Sequence, residues 1–227
     1  MAKRTANQQY YIVESLHDYN ILVDTREIFL NGEFDDEDPG VDYRMAVRFT
    51  KNLRFLETQN DKHIIIHQHS IGGEEPSGMM IYDAIVNCQC PILFICHGEA
   101  TSMGSIIPQA CVAHGNAHRI CMPNCYFLLH EGCTGLDTHC SRRERDAHVE
   151  KEKLLEKKML DIYVQSMKEG NFFNGYTDKR IRSFIKRKFE QKGDWIIDAR
   201  QAIDLGLVDA VLGDDNFETI NNIIKEW

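Results

Sequence analysis

Apolar positions along the chain alternate between two periods. Between Val41 and Glu57, residues Met45, Val47, Phe49, Leu53, Phe55 and Leu56 fall mostly at helical spacings, with Arg44, Arg48, Lys51 and Arg54 interleaved. That pattern predicts an amphipathic helix. Before it, Ile21-Leu-Val-Asp and Arg26-Glu-Ile-Phe-Leu-Asn-Gly predict short strands stopped at Asn31-Gly32, with an acidic loop from Asp35 to Gly40. After it, the β-branched run His63-Ile-Ile-Ile-His-Gln-His-Ser predicts a strand that ends in Ile71-Gly72-Gly73. A helix over Ser77–Val86, a buried strand over Pro91–His97 and a further helix opening near Ser102 follow. Strands over Arg119–Cys121 and Tyr126–Leu129 then lead to His130. Strand, glycine-rich turn and helix thus alternate at least twice, an order that gives right-handed crossovers and a parallel, helix-covered sheet. The predicted class is α/β.

Four stretches stand outside that alternation. Residues 1–20 are polar apart from the aromatic pair Tyr10-Tyr11, and predict an extension that orders only against a docking partner. Ser141–Glu169 is long and charged, with Val149, Leu154, Leu155, Met159, Leu160, Ile162, Tyr163 and Met167 along it. As a helix it would span roughly 40 Å, more than a domain of this size uses internally, so it is expected to project or to meet a partner. Asn171–Lys192 is basic and partly helical in pattern, and residues 213–227 form the C-terminal tail. The division is therefore an extension over 1–20, one domain over 21–212, and the tail.

Composition narrows the function classes. The chain has 227 residues, 43% of them hydrophobic and 27% charged, which is enough for one ordinary core. Its 26 basic and 35 acidic residues leave a net charge of −9, which argues against nucleic acid or an anionic membrane as partner. No apolar run approaches the roughly 20 residues of a membrane-spanning helix, and the polar start predicts a cytoplasmic protein. Of eight cysteines, Cys88, Cys90, Cys96, Cys111, Cys121 and Cys125 lie in or beside apolar segments and are expected to be buried, reduced thiols, whereas Cys133 and Cys140 fall in a polar loop. Cys88, Cys90, Cys96 and His97, or Cys121, Cys125, His114 and His118, are zinc-type residues. They lack the paired Cys-x-x-Cys spacing that brings two thiolates onto one ion, so no metal is expected.

The candidate chemistry gathers at the strand ends. Gly98-Glu-Ala-Thr-Ser-Met-Gly104 lies between a buried strand and an apolar helix, so Ser102 would stand at a sharp strand-to-helix turn with the Met103 amide able to donate to an oxyanion. The plainer alternative is a helix-capping serine. Gly72-Gly73 ends another strand; an extended Glu74-Glu75-Pro76 after it would offer an edge on which a peptide could lie, and an ordinary tight turn is the alternative. His130, at the mouth of a core strand, is placed to act as a base or to be structural. His63, His67, His69 and His97 are expected to be core or surface histidines.

Six ordered motifs carry a resemblance. Arg26-Glu-Ile-Phe-Leu-Asn-Gly-Glu, Ser70-Ile-Gly-Gly, Gly78-Met-Met-Ile-Tyr-Asp, Gly98-Glu-Ala-Thr-Ser-Met-Gly, Met122-Pro-Asn-Cys-Tyr-Phe-Leu-Leu-His and Ala202-Ile-Asp-Leu-Gly-Leu-Val-Asp resemble the Clp protease proteolytic subunit family, collinearly from about residue 26 to residue 212. The resemblance implies a Clp/crotonase-type α/β fold of repeated β-β-α units, with a protruding handle helix over about 141–169. It implies a Ser102 nucleophile, a His130 base and oxyanion amides on Gly73 and Met103, while the strand edge opened by Gly72-Gly73 makes Gly72, Glu74 and Glu75 the candidate substrate contacts. The acid falls on Asp194, with Asp198 as runner-up. The implied activity is that of an ATP-dependent serine endopeptidase acting on polypeptides, with no cofactor in this subunit and ATP entering only through an AAA+ Clp unfoldase. The implied assembly is a homo-oligomer of heptameric rings, stacked in pairs or single.

The chain also departs from the family pattern. Ile71 stands where proline is usual, Thr101 where alanine is, Glu131 where glutamine is common, and Gly193 where an arginine often links rings. The amino-terminal stretch does not resemble pore-gating loops. Bacteriophage-encoded relatives diverge similarly, so a viral source with a host-cytoplasmic location is one expectation. A catalytically silent ring-building subunit and a crotonase-type acyl-CoA enzyme are the competing readings.

Overall fold

The computed structural model describes residues 6–32, 39–132 and 141–226. Most of the predicted acidic loop, together with Cys133 and Cys140, lies outside the described residues. The chain opens with α1 (Ala6–Tyr19), β1 (Ile21–Leu22) and β2 (Glu27–Leu30), followed by α2 (Tyr43–Gln59), β3 (Ile64–Ser70) and α3 (Glu75–Val86). Then come β4 (Ile92–Thr101), α4 (Met103–Ile106), a 3-10 turn over Ile107–Gln109, α5 (Ala110–His114), β5 (Ala117–Cys121) and β6 (Tyr126–Leu129). The last part holds α6 (Arg142–Met167), a 3-10 turn over Asn171–Phe173, α7 (Asp178–Lys192), β7 (Trp195–Asp198), α8 (Ala199–Asp204), β8 (Ala210–Val211) and α9 (Ile220–Glu226).

One sheet organises these elements, in the order β1-β2-β3-β4-β5-β8, with β6 beside the far end of β4 and β7 beside β6. Neighbours pair in parallel from β2 to β8, whereas β1–β2 and β6–β7 are antiparallel. The fold is therefore mixed α/β with alternating strands and helices, as the hydrophobic pattern predicts. Both faces of the central strands are apolar, which is why β3 and β4 appear as near-continuous aliphatic runs. On one face Ile64, Ile66, Ile92, Phe94 and Cys96 meet Phe49, Leu53 and Leu56 of α2 and Ile81 and Ile85 of α3. On the other, Ile65, Leu93, Ile95, Ile120 and Ala210 meet Ile223 of α9, with Phe217, Ile220 and Ile224 partly buried against them.

Three elements add detail to the predicted layout. The extension over 1–20 contains helix α1, although Tyr10, Tyr11, Val13 and Tyr19 on it remain exposed. Beyond residue 212, α9 packs on the second face of the sheet. The helix opening at Ser102 is broken after one turn: Pro108 removes a backbone donor, and a 3-10 segment intervenes between α4 and α5.

Helix α6 begins on a capping box, in which Ser141 Oγ accepts from Glu144 N at 3.3 Å and Glu144 Oε2 accepts from Ser141 N at 2.7 Å. Residues 141–150 are all exposed, whereas Leu160, Tyr163, Val164 and Met167 are buried. The carboxyl-terminal half is fastened by Arg119, a buried cation on β5. Its guanidinium donates to Ser166 Oγ at 2.6 Å, Gln109 Oε1 at 2.5 Å, the Gly206 carbonyl at 3.1 Å and Asp209 Oδ1 at 2.7 Å. A buried guanidinium with every side satisfied holds four segments in one geometry.

Two strands from β5 in the sheet, on β3, His67 Nε2 lies 3.0 Å from Glu27 Oε2, and its Nδ1 lies 3.0 Å from His97 Nε2. With Glu27 accepting from His67 Nε2–H, neutral His67 has Nδ1 free to accept from His97. Burial lowers the pKa of both imidazoles; Glu27 partly offsets this at His67, and the neighbouring histidines reinforce it at His97. The unfolded chain then binds more protons at these sites just below pH 6.5, so stability falls as pH drops through that value and the loss levels off below the folded pKa. Thermal melts at pH 7.5 and 5.5 are expected to differ less for His67→Gln/His97→Gln than for the native chain. Equal pH slopes would contradict this.

Candidate active site

Strand β4 changes partner along its length. Ile92–Cys96 pair with β5, and Glu99–Thr101 pair with β6. The bend between the two parts falls at Gly98, whose φ of +57° suits glycine and where a Cβ would lie 3.1 Å from the His69 ring. Because Thr101 is opposite Leu128, Ser102 leaves the sheet beside the end of β6. Its backbone adopts φ 53° and ψ −120°, a region that costs a non-glycine residue about 1–3 kcal/mol. The Ser102 N–H donates to the Leu128 carbonyl at 2.9 Å.

His130 is the first residue past β6, and its Nε2 lies 2.7 Å from Ser102 Oγ. The antiparallel register pairs Leu129 with Trp195, so one step further sets Asp194 across from His130. Asp194 Oδ1 is 3.8 Å from His130 Nδ1, within ion-pair range and too long for a hydrogen bond. The Asp194 side chain is 66% exposed, against 27% for His130. Asp198 is elsewhere. It pairs with Tyr126, about 13 Å along the strand from the His130 level, and it caps α8 by accepting from Arg200 N at 3.0 Å and Gln201 N at 2.9 Å.

Gly72 and Gly73 both have positive φ, at 98° and 138°. A Cβ on Gly72 would fall 2.6 Å from Ser102 Cβ, and one on Gly73 would fall 2.3 Å from Val41 N. Val41 N donates to the Gly72 carbonyl at 2.6 Å and accepts in turn, through its carbonyl, from Glu74 N at 2.7 Å. In a parallel bridge of that kind the flanking groups bond to the partner, so the N–H and C=O of Gly73 itself face the opposite edge. The expected extended run Glu74-Glu75-Pro76 is shorter than that: α3 starts at Glu75 with Pro76 in its first turn, leaving one extended step at Gly73-Glu74. Val41 was not singled out in the sequence. Nothing local marks a residue that pairs 32 positions downstream.

Between these elements and α6 lies an open cleft of ≈ 800 Å³. Gly73, Glu74, Ser102, Met103 and His130 line one wall, and Val149, Leu155, Met159 and Tyr163 of α6 line the other. Glu74 is held by Ser77 Oγ, which donates to its Oε2 at 2.9 Å, and Glu156 by Lys186 Nζ at 2.7 Å. Among the described residues no group of three or more histidine, cysteine or carboxylate side chains is arranged to hold a metal ion, and no helix is long and apolar enough to cross a membrane. The thiols and histidines weighed as zinc ligands are thus not gathered on one point.

The match of this chain to a peptidase family model makes it a peptidase-type protein. The chain belongs to the Clp protease family, whose model matches residues 12–215.

Two substitutions separate the packing roles around this site. Asp198→Ala is expected to lower unfolding free energy by about 1 kcal/mol through the lost α8 cap, read in urea titrations, without altering the environment of His130. Gly72→Ala is expected to cost more than about 1 kcal/mol, because its φ and the contact with Ser102 both resist a side chain. A Gly72→Ala protein as stable as the native chain would contradict that geometry.

Proposed function

We propose that this chain is a serine endopeptidase subunit of a self-compartmentalising ring protease, cleaving unfolded polypeptides or short peptides through an acyl-enzyme. The observation that carries this reading is the 2.7 Å contact between Ser102 Oγ and His130 Nε2 at a strained strand-to-helix turn, in a chain of the Clp protease family. Ser102 Oγ attacks the scissile carbonyl while His130 Nε2 takes its proton; His130 then gives that proton to the leaving amine, and water repeats the sequence in reverse. Asp194 steadies the imidazolium once a small rotation closes the 3.8 Å gap, a tightening common when substrate binds. The amides of Gly73 and Met103 receive the developing oxyanion. Gly73 supports this by presenting its own N–H away from Val41. A substrate segment lies along the same edge, against Gly72, Glu74 and Glu75.

The finer assembly belongs to the same proposal. The fold is of the Clp/crotonase type, and the exposed first half of α6, with Val149 and Leu154 at its surface, is the handle through which subunits meet. The subunits form cytoplasmic heptameric rings, single or stacked, fed by an AAA+ Clp unfoldase that supplies the ATP step.

A second reading is a ring-building or regulatory subunit without turnover, favoured by the exposure of Asp194 and its distance from His130. Purified protein tested on a short fluorogenic peptide and a serine-directed acylating probe distinguishes the two. Ser102→Ala is expected to abolish both cleavage and labelling while leaving the unfolding transition unchanged. Asp194→Asn is expected to reduce turnover by about 10²- to 10⁴-fold. Undiminished turnover by Ser102→Ala removes the proposal, and a stable, fully inert native protein favours the silent subunit.

A further inference from the structure

The carbonyl of Ser102 accepts two hydrogen bonds, from Ser105 N at 2.8 Å and from Ser105 Oγ at 2.7 Å. Ser105 Oγ is also 2.7 Å from the hydroxyl of Tyr163, which projects from the buried half of α6. Both side chains are wholly inaccessible to solvent. Proton counting sets the direction. A carbonyl only accepts, so the single Ser105 hydroxyl proton goes to Ser102 O, and Tyr163 must be the donor to Ser105 Oγ. The chain of donors runs from Tyr163 to Ser105 to the Ser102 carbonyl.

That carbonyl shares its peptide plane with the N–H of Met103. The plane is trans, as all the described peptide bonds are, so pulling the C=O into the protein turns the N–H the opposite way, toward the cleft that Met103 lines. Hydrogen bonds accepted by the C=O also polarise the N–H of the same unit and strengthen it as a donor. The neighbouring backbone is held by other means, since Ser102 N–H donates to Leu128 and Gln68 Nε2 donates to the Gly104 carbonyl at 2.7 Å. Among these fastenings of the turn, the one through Ser105 Oγ reaches α6.

We propose that Tyr163, acting through Ser105, is a positioning residue that aims and polarises the Met103 amide toward the oxyanion. It couples the orientation of that donor to the seating of α6. This rests on the reading of Ser102 as nucleophile and Met103 as oxyanion donor. Neither Tyr163 nor Ser105 exchanges a proton with substrate. Their effect appears where negative charge develops, and ground-state binding is left alone.

The test uses the full chain, with Tyr163→Phe, Ser105→Ala and the double variant assayed on a fluorogenic peptide and on a peptide aldehyde, whose tetrahedral adduct carries the oxyanion. Tyr163→Phe is expected to lower kcat about 5-fold and Ser105→Ala about 10- to 30-fold, less than the loss of a whole oxyanion donor. KM should stay within about twofold, and aldehyde affinity should fall in step with kcat. The double variant is expected to match Ser105→Ala alone, because the two hydroxyls act in series. Ser105→Ala keeps the test decisive should Tyr163→Phe fail to fold. A raised KM at constant kcat would mean that Tyr163 only lines the cleft, and a lowered melting temperature at constant kcat that it only stabilises; either overturns the inference while peptidase function stands. Additive losses in the double variant also overturn it. A native protein that neither turns over peptide nor is acylated overturns both this inference and the function on which it rests.

Discussion

The change of partner along β4 is the constraint on which the site depends. A parallel strand ordinarily keeps one neighbour on each edge; here the edge that carries β5 as far as Cys96 carries β6 from Glu99 onward. Gly98 supplies the bend, and the turn Met122–Cys125 lets the chain re-enter the sheet alongside the far end of β4. Because β6 in turn pairs with β7, one set of registers governs residues separated by almost a hundred positions. A slip of one residue in either ladder would reverse the side-chain faces and separate Ser102 from His130, or His130 from Asp194. The catalytic candidates are thus a property of strand pairing first and of side-chain chemistry second.

Strain at Ser102 fits the same logic. A left-handed φ in a non-glycine residue survives only where the surroundings over-determine it. Here the preceding N–H, the carbonyl and the next peptide unit but one are each hydrogen-bonded to a different part of the fold. Arg119 performs a comparable task at longer range, joining β5, α6 and the loop before β8 through one buried cation. The helix that walls the cleft is therefore not merely laid against the sheet. It is tied at Ser166 and again at Tyr163, one helical turn apart.

Much of this was legible from residue order. Ile64–Ile66 and Ile92–Ile95 announce buried strands by continuous aliphatic character, and the helical spacing of Phe49, Leu53 and Leu56 marks the buried face of α2. Ser102 and His130 stand out as polar residues at the ends of apolar runs. What could not be read has a common cause. The choice between Asp194 and Asp198 turns on β6–β7 register and on which carboxylate is spent capping α8, neither of which is encoded near those residues. Val41 and Tyr163 reach the site from 32 and 61 residues away in sequence, so periodicity is silent about them. The burial of Ile223 similarly depends on a sheet face assembled from distant strands, and α1 forms where polar composition suggested open chain.

The six described thiols have a chemical consequence of their own. Cys88, Cys90, Cys96, Cys111, Cys121 and Cys125 are all buried and unpaired. Burial pushes the pKa of Cys88, Cys121 and Cys125 up to about 12 and raises those of Cys90, Cys96 and Cys111. The thiolate is the form that attacks an alkylating reagent, so these sulfurs stay silent for as long as the core is shut. Iodoacetamide incorporation at these six positions, resolved by mass spectrometry, accordingly acts as a clock for how often each part of the interior opens to water.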